Sequence, residues 1–314
     1  MKGYAKPLHE FIEGHKIQFV IPVYQRNYDW LIDNCDQLFS DLVKLSRSNR
    51  CSHFFGSIVT SSADSSYNRL VIDGQQRLTT ISLLLLAGIK AVKDGAIEIS
   101  EESKIDEAYE VFLKAKFCNS ERKIKLVPIE NDRIAYDKIF NEEDSFDEDS
   151  KVTRNYRHFY DLLTRKPQAL SFDQLLDAIE RLQIISIELD SDDDAQLIFE
   201  SLNSTGLALT EADKIRNYLL MSLTSEEQHM CFKNYWQKIE QATENQPTKF
   251  LRDYLTIQQQ LQRPVRQSNI YYEWKKYMDG HDRKEELVKM LDYAHYYQQV
   301  TEAKLSTAKL SEKM

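Results

Sequence analysis

The run Leu70-Val71-Ile72-Asp73-Gly74-Gln75-Gln76-Arg77-Leu78-Thr79-Thr80 gathers a carboxylate, a glycine, two carboxamides, a guanidinium and two hydroxyls between two apolar stretches. That set of groups suits an anion. A short β-type run breaks at Asp73-Gly74, and helical apolar spacing follows from Leu78 to Val92, so the pattern reads as strand, tight turn and buried helix. In such a corner Gly74 admits a ligand close to the backbone, and the unsatisfied amides of the first helical turn attract negative charge. Arg77, one turn in, adds a forked cationic donor matched to phosphate. The same spacing leaves a plainer reading open, with Asp73 capping the helix and Arg77 on the surface.

Two other stretches carry polar residues at spacings that ask for a use. In Phe19-Val20-Ile21-Pro22-Val23-Tyr24-Gln25-Arg26-Asn27-Tyr28-Asp29-Trp30 a short strand gives way to a polar and aromatic cluster. Gln25 and Arg26 are placed to offer donors to a phosphate or a base above Tyr28 and Trp30. An aromatic cluster closing the core, with Arg26 stacked on a ring, is the alternative. The third stretch runs from Ile198 to Leu220 and reads as helix, turn and helix, with Gly206 suited to a left-handed C-terminal position and Thr210 with Asp213 forming a capping box. Capping does not account for Asp213, Arg216 and Asn217 at i, i+3 and i+4, a polar strip that needs partners. A ligand pocket and an ion-pair network joining two helices both satisfy it.

These stretches resemble a known family. Asp-Gly-Gln-Gln-Arg-Leu-Thr-Thr after an apolar strand, the Ile-Pro-x-Tyr-Gln-Arg-x-Tyr-x-Trp pattern at 21–30, and the Phe-x-x-Leu-Asn-x-x-Gly pattern leading to Asp213-x-Ile215-Arg216-Asn217 are similar to the N-terminal domain of GmrSD-type, modification-dependent restriction proteins. That family is similar in turn to the ParB and sulfiredoxin-like superfamily. The resemblance implies an α+β fold: a small ParB/sulfiredoxin-like mixed sheet with a central buried helix, followed by a mainly helical C-terminal region. It implies phage defence, with a nucleoside triphosphate and Mg²⁺ as ligands, phosphates resting on Gly74 to Arg77 and Arg26 opposite. Asp73 would hold Mg²⁺ through water or orient the attacking water, and Gln75 or Gln76 would position that water. Thr79 or Thr80 would touch a phosphate or its metal, and Asn203, Asp213, Arg216 and Asn217 are expected near the same pocket. Direct Mg²⁺-dependent DNA cleavage in the ParB manner and a non-catalytic nucleotide- or DNA-sensing module are the alternatives. Many relatives end in an HNH-type nuclease domain. Its histidine and asparagine cluster does not occur before Met314, so the chain is a fragment, works with a separate nuclease polypeptide, or has lost that activity.

The elements that must position these residues are legible in outline. Leu38, Leu42 and Leu45 form one stripe of a helix over Asp33–Leu45, and His53 to Thr60 reads as a buried strand paired through Ser61–Asn68 with the strand before Asp73. His53, at the start of that strand, is a candidate acid or base that could equally be structural. A mixed amphipathic helix over 100–117, a strand at 124–129, and helices at 132–140 and 172–182 follow. Ile184 to Leu189 is a strand. Beyond Ser225 the pattern is helical and rich in Tyr, Trp and Lys, a composition that fits either a core or a base-stacking surface. The domain boundary falls at 225, giving a nucleotide-binding domain over 1–225 and a helical region over 226–314.

Composition bounds the rest. With 314 residues, 42% hydrophobic and 11% aromatic, the chain can bury a sizeable core. A net charge of -9 means that any nucleic-acid contact comes from a local basic patch. Acidic clusters at 142–149 and 190–194 read as solvated loops or helix starts. The four cysteines, Cys35, Cys51, Cys118 and Cys231, lack metal or disulfide spacing and are expected as free thiols in a reducing compartment. No secretory signal is visible at the N-terminus, and the apolar run at 83–92 is too short for a bilayer, so the cytoplasm is the expected compartment and no membrane is involved. There is no Gly-x-x-x-x-Gly-Lys-Ser/Thr sequence, which excludes a P-loop. A homo-oligomer is compatible with the sequence.

Overall fold

The all-round apolarity between Leu78 and Val92 has one structural outcome, a helix buried on nearly every side. In the computed structural model, which describes residues 1–48, 50–62, 67–118, 123–165, 170–190, 192–202 and 209–311, that helix is the centre of the first of two compact units, Met1–Ala195 and Gln196–Met314. The division falls upstream of the boundary expected at 225.

The first unit is α+β. Its elements are β1 (Lys2–Pro7), α1 (Leu8–Ile12), β2 (Gln18–Val20), α2 (Ile32–Arg47), β3 (His53–Ser62), β4 (Asn68–Asp73), α3 (Gln75–Lys93), α4 (Ser103–Ala108), β5 (Leu126–Val127), α5 (Glu130–Phe140), α6 (Lys151–Arg165), α7 (Phe172–Glu180) and β6 (Leu182–Leu189). The six strands form one mixed sheet in the order β1-β6-β3-β4-β2-β5. β1 pairs antiparallel with β6, β3 runs parallel to β6 and antiparallel to β4, and β2 lies parallel to both β4 and β5. A register shift between Val59 and Thr60 leaves Val59 opposite Asp73, the last residue of β4. Helix α3 packs against α6 and α7. Leu83, Leu84, Leu85 and Ala87 are fully buried in one cluster with Phe159, Phe172 and Leu175. At about 25 cal/mol per Å² of apolar surface, burial of each such leucine contributes about 1.5–3 kcal/mol, so packing rather than helix propensity holds α3 in place.

The helix expected over 100–117 is shorter and interrupted. It ends as α4 at Ala108 and widens into a π-helical turn, Tyr109–Leu113, after which Lys114 bridges to Ile124. A reason lies beneath the turn. Lys125 is fully buried, and its ammonium donates to the carbonyls of Glu110, at 3.3 Å, and Val111. The widened turn thus presents carbonyl acceptors to a buried cation that, among the described residues, has no carboxylate bonded to it.

The second unit is helical throughout its described residues: α8 (Ala195–Leu202), α9 (Glu211–Leu220), α10 (Ser225–Cys231), which runs through a π turn into α11 (Gln237–Ala242), then α12 (Pro247–Gln258), α13 (Ile270–Tyr277) and α14 (Arg283–Ser311). Its largest aromatic residues supply part of the core. Trp236, Phe250, Tyr254 and Trp274 are buried, with the Tyr254 ring 6.3 Å from Trp274 and 5.2 Å from Tyr293. Tyr272 remains exposed.

Burial pushes the Lys125 ammonium down from its ordinary value of 10.5 to about 8. Between those values the unfolded chain binds more protons than the folded one, so this residue makes stability rise with pH. In Lys125→Met the rise should disappear. Urea unfolding at pH 7.5 and 9.5 should show wild type gaining stability on the variant at the higher pH, and parallel behaviour would contradict the buried-cation assignment.

Candidate functional site

The corner forms because β4 must turn sharply into a helix whose flanks are already committed to the core. Gly74 makes that turn with φ 95° and ψ 5°, a left-handed conformation that costs glycine nothing. Space is also restricted: a Cβ on Gly74 would lie 3.0 Å from Ile58 Cγ1 and 3.2 Å from Ile58 Cα. The helix begins at Gln75, and its first backbone hydrogen bond runs from Leu78 N–H to Gly74 O at 3.1 Å. The amides of Gln75, Gln76 and Arg77 therefore have no acceptor within the helix. Asp73 does not cap it by side chain; Gly74 holds the cap position.

Charged groups converge on the Asp73 carboxylate. Arg77 Nη1 lies 3.8 Å from Asp73 Oδ2, and the Gly74 amide and the Arg26 guanidinium also act on the carboxylate. Burial nevertheless pushes the Asp73 carboxyl above its usual range, against the pull of Arg77, the Gly74 amide and Arg26. Arg77 is aimed by β3. Its Nη1 donates to Ser57 O at 3.0 Å, and the side chain lies across Gly56, where a Cβ would stand 2.6 Å from Nε and 2.9 Å from Cζ. Nothing in the sequence ties Gly56 to Arg77; only the antiparallel pairing of β3 with β4 brings them together.

The segment 25–30 is fastened to this corner by carboxamides. Gln25 Nε2 donates to Ile72 O at 2.8 Å, and Gln75 Nε2 donates to Arg26 O at 3.2 Å. Gln76 is more fully used: its Oε1 accepts the amides of Asp29 at 2.8 Å and Trp30 at 3.2 Å, while its Nε2 donates to Asn27 O at 3.2 Å. These glutamines hold backbone. The exception is Gln75 Oε1, which is buried without a hydrogen-bond partner among the described residues. Thr80 is buried too, donating to Gln76 O at 2.7 Å and lying 2.7 Å from the Tyr28 hydroxyl, which in turn accepts from Asn155 Nδ2 at 3.0 Å. Asn155 also donates to Trp30 O at 2.9 Å. Thr79 is buried in the same helical turn.

Three contributors come from outside the motif residues. Asp132 on α5 accepts the Tyr28 amide at 2.6 Å, and burial, with Asp29 adding to it, raises its carboxyl to about 6 against that amide's pull. Lys151 at the start of α6 donates to Asp29 Oδ1, while Arg26 Nη1 lies 3.5 Å from Asp29 Oδ2. Asn155 completes the set. His53 sits instead beside α2, 3.9 Å from Asp41.

Asp213, Arg216 and Asn217 belong to the second unit. There Arg216 bridges Asp213 at 2.7 Å and Glu240 at 3.1 Å, and Glu240 also accepts from Trp236 Nε1 at 2.7 Å. Asp213 closes the capping box with Thr210, whose hydroxyl donates to it at 2.7 Å. This is an ion-pair network between α9 and α11, and Asn217 is buried beside it in sequence. Asn203 and Gly206 lie outside the described residues.

A mixed sheet whose strand-to-helix corner is ringed by two arginines, with a clamped aromatic segment behind it, defines a class of α+β domain. The chain belongs to the family described as the GmrSD restriction endonuclease N-terminal domain, whose model matches residues 8–220. The match covers all three motifs and extends from the first unit into the second. Among curated proteins no match is found. Among the described residues no helix is long and apolar enough to cross a membrane, and no group of three or more His, Cys, Asp or Glu residues is placed to hold a metal ion.

Two substitutions test this geometry. Gln76→Leu keeps side-chain size but strands two amides and a carbonyl, and should cost at least about 2 kcal/mol in urea unfolding, since each unmet buried group costs about 1–3 kcal/mol. A loss under about 0.5 kcal/mol would show that the clamp is dispensable. Gly56→Ala forces a side chain into a φ of 121° and into Arg77, so it should cost about 1–3 kcal/mol and move the guanidinium in a crystal structure.

Proposed function

We propose that the first unit binds a nucleoside triphosphate and hydrolyses it, as the regulatory part of a modification-dependent restriction system. The phosphates would rest on the amides of Gly74 to Arg77. The observation that carries this reading is that Arg77, 3.8 Å away, and Arg26 both act on one carboxylate, at a helix start whose first amides have no acceptor within the helix. Among the described residues Arg77 spends one donor on Ser57 O, so most of its fork is available to a phosphate.

Asp73 has the chemistry of a base: burial raises its carboxyl, and in this reading it would take the proton of the water that attacks the terminal phosphate. Gln75 Oε1, an acceptor with no partner among the described residues, is the carboxamide group suited to hold that water, whereas Gln76 is occupied with the segment 27–30. Mg²⁺ usually arrives with the phosphates and takes only one or two protein carboxylates, which fits the donor set here. Asp73 would reach it through water, and the ion would supply charge neutralisation. DNA and a fused or separate HNH nuclease domain are the partners that nucleotide turnover would serve.

The test is phosphate release from each nucleoside triphosphate with Mg²⁺. Turnover is expected in wild type and should fall roughly a hundredfold in Arg77→Met, the scale typical of removing one transition-state donor. It should also fall as pH drops through the raised carboxyl value of Asp73. Plasmid nicking with Mg²⁺ and no nucleotide effect would favour direct cleavage instead, and nucleotide binding without turnover a sensing module.

A further inference from the structure

Around the corner the charges alternate in sign. Arg77 faces Asp73, Asp73 feels Arg26, Arg26 Nη1 stands 3.5 Å from Asp29 Oδ2, and Asp29 Oδ1 accepts the ammonium of Lys151. One carboxylate thus spans two cations that come from elements far apart in sequence, the segment after β2 and the first residue of α6. Asp132, the other acid facing Asp29, is committed to the Tyr28 amide.

We propose that Lys151 is a third cation of the phosphate site, and that the Asp29 carboxylate holds the place between Lys151 and Arg26 until a phosphate takes it. This rests on the nucleotide reading given above. The geometry supports it in three ways. A single small anion already bridges both cations, so one phosphate group is of a size to do the same, with more charge and more acceptor oxygens. Among the described residues Lys151 bonds to Asp29, and both side chains are 38% exposed, so the carboxylate can swing into water without uncovering core. The backbone of Asp29 stays where it is when the side chain leaves, because its amide is held by Gln76 Oε1 at 2.8 Å. Arg26, with its side chain only 15% exposed, is less free to move, so the mobile member of the pair is the acid.

Opposite effects of two substitutions follow. With Mg²⁺ and inorganic tripolyphosphate as the probe, calorimetric titration should show Lys151→Met binding about tenfold more weakly than wild type, the scale of one charge-assisted contact. Asp29→Asn, which removes the competing charge and keeps the backbone bonds, should bind several-fold more tightly. Lys104→Met, a surface cation paired with Asp173 on another part of the unit, should change nothing. If wild type binds and Arg77→Met weakens it while Lys151→Met and Asp29→Asn do not differ from wild type, the role of Lys151 is overturned and the nucleotide reading stands. No binding by wild type overturns both. Should Lys151→Met fail to fold, Asp29→Asn decides alone, with unchanged or weaker binding counting against the proposal.

Discussion

Helix α3 is buried on almost every side, and the rest of the first unit depends on that constraint. A helix packed into fully buried leucines and phenylalanines has little freedom to slide or tilt, so its first turn is fixed relative to the sheet. The amides at that turn, the left-handed glycine before it and the guanidinium of Arg77 inherit the fixed position. Preorganised dipoles and cations of this kind cost no reorganisation when charge arrives. The core and the site are in this sense one structure, with hydrophobic packing supplying the rigidity that the polar groups need.

Much of this was visible in the sequence because it follows local rules. The strand–glycine–helix corner, the β3–β4 hairpin, the apolar helix and the capping box at Thr210 and Asp213 all carry their signals within a few residues. Other elements do not. β1 reads Lys-Gly-Tyr-Ala-Lys-Pro, with a glycine, two lysines and a terminal proline, and becomes a strand only because β6 supplies a partner along its length. The interruption of the helix after Ala108 answers to Lys125, a residue well downstream whose buried ammonium needs carbonyls. Helix α6 shows its stripe in Val152, Tyr156, Phe159 and Leu163 once the acidic run before it is set aside.

At the candidate site the same division holds. Residue types suggested a corner suited to an anion, but each side chain's partners are ones that sequence spacing does not reveal. Gln75 and Gln76 are neighbours of the same type, yet one retains a free buried acceptor while the other is spent on three backbone groups. Asp132, Lys151 and Asn155 lie more than a hundred residues from the segment they hold, and only the packing of α5 and α6 brings them there. Arg216, read as either ligand-binding or structural, is seen in an ion-pair network with Asp213 and Glu240, a use of a buried guanidinium that leaves its charge matched.

The fastening of residues 25–30 bears on how the corner can move. Gln25 ties the segment to the strand before the corner, Gln75 and Gln76 tie it to the helix after, and Asn155 ties it from behind. A segment anchored to both sides of a turn cannot act as a flap without breaking its own supports. Changes in the exposure of the corner that involve this segment must then come from side-chain rotation, a picosecond-to-nanosecond event, rather than from the microsecond-to-millisecond opening of a lid.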